Sequence, residues 1–129
     1  MFYNCSSIQN DFILSSWNIE KVTDFRNMFY GCNSPKIIMT GQNSIATRIE
    51  FMFHACKATE VDISGITGIN ITSVSCMFHG MPTPKTIDIS SFTFENVTNS
   101  SNFISWGSGP NDKIYVKDAA AQQFVLENR

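Results

Sequence analysis

Apolar residues recur along this chain in two interleaved periods. The first has helical spacing. Phe25, Met28, Phe29 and Cys32 stand at i, i+3, i+4 and i+7, as do Ile49, Met52, Phe53 and Cys56, and then Val74, Met77, Phe78 and Met81. That spacing puts four side chains on one face of a short α-helix and predicts three such helices. Thr23, Thr47, Thr72 and Thr98 each stand ahead of an apolar run, where a hydroxyl would accept from a free amide of the first turn. Gly31 and Gly80 fall near the end of the stripe, where a left-handed residue would stop the helix.

The second period alternates. Phe12-Ile13-Leu14, Ile37-Ile38-Met39, Val61-Asp62-Ile63, Ile87-Asp88-Ile89 and Ile114-Tyr115-Val116 are short, and Ser, Gly and Thr stand around them. Each reads as a strand. A further apolar point follows at Trp17, Ile66 and Phe92 and closes the turn.

The pair Met-Phe punctuates both periods at Met1-Phe2, Met28-Phe29, Met52-Phe53 and Met77-Phe78, with a degenerate copy at Asn102-Phe103, at spacings of 27, 24, 25 and 25. A period in the twenties marks a stacked-repeat protein, whose units bury their apolar faces only against neighbours. The expected fold is an α/β solenoid of the leucine-rich-repeat type, with about 24–27 residues per repeat, a parallel sheet on one face and short helices on the other. Residues 1–106 read as an array of about four units whose N-terminal end is uncapped, and 107–129 as a C-terminal strand-helix cap. There Asp118 would start the last helix, and Phe124-Val125 would lie over the final coil.

Met52-Phe53-His54-Ala55-Cys56, Ile87-Asp88-Ile89-Ser90-Ser91-Phe92 and Asn96-Val97-Thr98 resemble the BspA-like leucine-rich repeat over about residues 1–106. The tail from Ile114 is similar to the way such arrays end, and Gly41-Gln42-Asn43 departs from the pattern by replacing its Ser-x-Phe element. The resemblance implies bacterial or protozoan surface proteins, with copies in some phages, that bind host proteins or other cells. The expectation is therefore a non-catalytic protein-binding or adhesion module, at the cell surface or outside the cell, whose partner is a protein or cell-surface macromolecule. The alternative is a structural or receptor-binding component of a phage virion, in which the uncapped N-terminal end meets an assembly partner.

Charge and composition narrow the partners. Net charge is -2, from 9 basic and 11 acidic residues with no basic run, so nucleic acid is not an expected partner. No apolar run reaches membrane-spanning length, and no basic-then-apolar leader is visible. Cys5, Cys32 and Cys56 share a column with Met81, which calls for a medium apolar side chain. Helices packed about 8–10 Å apart would also be too distant for disulfides. Cys76 lies off the stripe. His54 and His79 follow Tyr3 and Tyr30 in a half-exposed column that offers no third metal ligand. No cofactor is expected.

The middle residue of each strand should point outward, which makes Ile13, Ile38, Asp62, Asp88 and Tyr115 the expected binding face. Asp62 and Asp88 on neighbouring strands would stand about 5 Å apart, as in a retaining glycosidase pair. Any matched column forces the same spacing, and no nucleophile, base or Gly-rich phosphate loop accompanies them, so no enzyme is expected.

Overall fold

The computed structural model describes residues 1–82, 84–105 and 112–129. The strands are β1 (Phe12–Ile13), β2 (Lys36–Ile38), β3 (Glu60–Asp62), β4 (Phe78–His79), β5 (Thr86–Ile89), β6 (Ile104–Ser105) and β7 (Lys113–Val116), followed by the helix α1 (Ala119–Glu127). β1, β2, β3, β5 and β7 pair in that order, all parallel, and β4 pairs with β6 on the other side of the coil. The chain is a repeat solenoid of mixed α/β character, as the repeat length in the twenties predicts. Alternation sets the sheet: Ile37, Val61 and Ile87 share one inward row and are fully buried.

The wall opposite the sheet departs from the helical expectation. Its stripe is buried as the spacing requires, from Phe25 through Met81, yet among the described residues the only α-helix is α1. Backbone amides alternate in direction instead. Those of Phe25, Asn27, Phe29 and Gly31 donate to the carbonyls of Arg48, Glu50, Met52 and His54 on the next coil, at 2.8–3.2 Å. Those of Met28, Tyr30 and Cys32 donate back three residues, at 3.2 Å each. An α-helix would keep all of these donors to itself. Its diameter of about 10–12 Å also exceeds the roughly 4.8 Å at which parallel strands hold successive coils.

Two left-handed columns make the corners of this wall. One comprises Asn27, Phe51, Cys76 and Asn102, with φ of 53–59°; the other is Asn4, Gly31, Ala55 and Gly80, with φ of 54–70°. Gly31 and Gly80 are thus left-handed as expected, but as recurring corners rather than helix stops. The threonines do not cap helices either. Thr47 Oγ1 donates to the Thr23 carbonyl at 3.2 Å, and Thr98 Oγ1 to that of Thr72 at 3.3 Å, from coil to coil.

Phe2, Phe29, Phe53 and Phe78 stack as a ladder through the core, with centroids 5.3–5.5 Å apart and rings within 11° of parallel. Phe103 meets Phe78 edge-on at 60°, and the register says why. Phe78 pairs with Ile104, and Ser73 bridges Asn99, so Phe103 stands in the methionine column. The degenerate fifth copy is therefore Phe103-Ile104, one residue later than the sequence spacing suggests.

The departure at Gly41-Gln42-Asn43 is structural. Asn43 is 3% exposed. Its Nδ2 donates to the carbonyls of Ile19 (2.5 Å) and Val22 (2.8 Å), and its Oδ1 accepts from the amides of Ile45 (3.1 Å) and Ala46 (2.8 Å). Beside it, a Cβ on Gly65 would lie 2.1 Å from the Gly41 carbonyl oxygen, so only glycine admits this approach. At the C-terminal end Asp118 accepts from the Ala121 amide at 2.9 Å, and Phe124 stacks on Phe94 at 4.2 Å. The division drawn between residues 106 and 107 falls outside the described residues.

Candidate interaction surface

All five outward strand residues lie in one row. Ile13 is registered with Ile38, Ile38 with Asp62, Asp62 with Asp88, and Asp88 with Tyr115. Ile13 is 54% and Tyr115 47% exposed, while Ile38, Asp62 and Asp88 are half-buried. Apolar or aromatic side chains thus stand at both ends of the row with the carboxylates between them. The aspartates have local work: Asp62 Oδ1 accepts from the Ser64 amide and Asp88 Oδ1 from the Ser90 amide, each at 2.9 Å. Each carboxylate closes the turn that ends its own strand. In the neighbouring row Lys36 pairs with Glu60 at 2.8 Å, and the hydrogen bond to that carboxylate raises the lysine pKa.

The opposite wall carries a second ladder. Tyr3, Tyr30, His54 and His79 stack with centroids 4.8–5.1 Å apart. Nδ1 of both histidines is buried with no hydrogen-bond partner. Burial, and then the neighbouring His79, lower the His54 pKa. Among the described residues no group of three or more His, Cys, Asp or Glu could hold a metal ion, and no helix is long and apolar enough to cross a membrane.

The four cysteines are free. Cys32 and Cys56 are buried, and Cys5 and Cys76 half-buried. The helix separation invoked against disulfides does not exist here, because coils are joined through their backbones. Cys32 Sγ donates to the Phe2 carbonyl at 2.8 Å, and burial pushes its pKa up to about 11 and that of Cys56 to about 12. Both thiols are therefore protonated and unreactive near neutral pH.

A family described as "Mycoplasma protein of unknown function, DUF285" matches residues 1–115. The chain belongs to this family. The DUF285 match reaches Tyr115 and so contains the whole outward row. No curated protein and no solved structure matches the chain.

Two residues were not legible as functional or structural points. Asn43 gave only the signal of a broken repeat. Phe51, 37% exposed and left-handed, stands in a column whose other members include Asn27 and Asn102, and asparagine is the non-glycine residue most at home there. Aligning that column would have marked the phenylalanine as out of place.

Proposed function

We propose that this DUF285 chain is a non-catalytic protein-binding or adhesion module of the kind carried by BspA-like repeat proteins, displayed at the cell surface. A protein or other cell-surface macromolecule docks on the sheet along Ile13, Ile38, Asp62, Asp88 and Tyr115. The observation that carries this reading is the row itself, with exposed Ile13 and Tyr115 in register on one laterally continuous surface. Interfaces concentrate energy in aromatic and apolar anchors. The aspartates each commit an oxygen to the turn after their own strand, so Tyr115 and Ile38 contribute more.

The test is binding of labelled chain to cultured epithelial cells and to a panel of immobilised extracellular-matrix proteins. Ile13→Ser combined with Ile38→Lys should abolish attachment with little change in melting midpoint. Attachment that survives those changes but disappears with Tyr3→Ser and Tyr30→Ser would put the docking face on the wrong wall.

A further inference from the structure

Beside the ring ladder, on the wall away from the sheet, lies a groove of about 330 Å³ that crosses successive coils. Arg26 and Asn27 line it on one coil, Glu50 and Phe51 on the next, then Ser73 and Ser75. Asn99 closes it on the coil after that. Its cation is already paired and its carboxylate already holds a backbone amide. Asp24 holds Arg26 through two prongs, at 2.6 and 3.0 Å, and lies 3.9 Å from Arg48. Glu50 Oε2 accepts from the Ile49 amide at 3.2 Å. A charged ligand would meet its own sign beside the opposite one.

What the groove leaves available are neutral or planar donors and acceptors. Asn99 uses its Oδ1 for the Ser101 amide at 3.1 Å, which leaves Nδ2 to donate outward. The Asn27 side chain makes no hydrogen bond among the described residues. Among these groups stands the Phe51 ring, 37% exposed, on a backbone at φ 59°. Asn27 and Asn102 adopt that conformation without difficulty, whereas a bulky side chain is strained by it. The ring meets His54 edge-on at 5.7 Å, and its remaining face, held on a backbone that favours asparagine, is open to a further contact.

We infer that this groove is a saccharide site for a neutral, extended oligosaccharide. The apolar C–H face of one sugar ring lies on Phe51 with its vicinal hydroxyls on the neighbouring Glu50 carboxylate, which can take paired hydrogen bonds, and sugars further along the chain meet the planar amides of Asn27 on one side and Asn99 on the other. The groove is lined from four successive coils, so it suits a chain of several sugars rather than a single one. This site is separate from the sheet face and stands or falls independently of it.

The experiment is titration of the intact isotope-labelled chain with cellotriose and with tri-N-acetylchitotriose to millimolar concentration, followed by amide shifts, with trigalacturonate as the charged comparison. Saturable shifts at Asn27, Phe51, Ser75 and Asn99 are expected with a neutral sugar. Phe51→Asn should weaken that binding at least about tenfold while keeping or raising the melting midpoint. Should that variant lower the midpoint, Glu50→Ala must show the same loss of affinity. Three results overturn the assignment: no saturable response to either neutral sugar, unchanged affinity in the folded variant, or tighter binding of trigalacturonate.

Discussion

Phe53→Ala removes the ring at the middle of the core ladder. Phe53 is fully buried and stacked on both faces, against Phe29 at 5.3 Å and Phe78 at 5.4 Å. Truncating a buried phenylalanine costs about 3–5 kcal/mol. Two stacked neighbours, each adding about 0.5–1.5 kcal/mol beyond area, place this site in the upper half of that range, at about 4–5 kcal/mol. Phe2 offers an internal comparison, because it is half-buried and has a parallel neighbour on one side only, Phe29 at 5.5 Å. Phe2→Ala should cost about half as much. Urea unfolding followed by far-ultraviolet circular dichroism gives both values. Amide exchange should also quicken on the neighbouring coils, at Phe29 and Phe78, since each repeat supports the next. A loss below about 2 kcal/mol for Phe53→Ala, or a larger loss for Phe2→Ala, would refute a core built on this ladder.

Three further outcomes follow from the same geometry. Ala55→Gly, at φ 54° in a column with Gly31 and Gly80, should raise stability by about 0.5–1 kcal/mol, since relief of left-handed strain exceeds the entropy glycine adds to the unfolded chain; a lowered urea midpoint would contradict the corner. Asn43→Ala should cost at least about 3 kcal/mol, because it strips partners from two carbonyls and two amides at a buried site; a loss under about 1 kcal/mol would mean that these groups find other partners. His54 has a folded pKa below the ordinary value of 6.5, so the unfolded chain takes up the proton first. Its contribution is intact above that value and is lost as pH falls towards the lower folded pKa. Urea midpoints at about pH 8 and about pH 5 should show this decline, and His54→Tyr, which places in the column the residue found at Tyr3 and Tyr30, should flatten it; an unchanged pH dependence would point to other groups.

The sheet was legible because alternation reports directly which side of a strand is buried. Ile37, Val61 and Ile87 inward, with Ile38, Asp62 and Asp88 outward, fix both rows and their register at once. The opposite wall was legible only in its burial. The i, i+3, i+4, i+7 spacing of Phe25 to Cys32 reports which side chains share a face, and a chain of three-residue turns shares that face too. It does not report where the amides go. The distinguishing signal lay in the left-handed columns, where Asn27, Gly31, Gly80 and Asn102 are characteristic but Phe51, Ala55 and Cys76 are not. The shift at Phe103 was hidden because a phenylalanine suits the methionine column as well as its own.

Site-specific photo-crosslinking on living cells tests the docking surface most directly. A benzoylphenylalanine replaces, in separate chains, Ile38 and Tyr115 on the sheet, and Tyr3 and Tyr30 on the opposite wall. The expectation is a protein adduct from positions 38 and 115 and none from 3 and 30. A protein adduct formed only from 3 or 30 would contradict it.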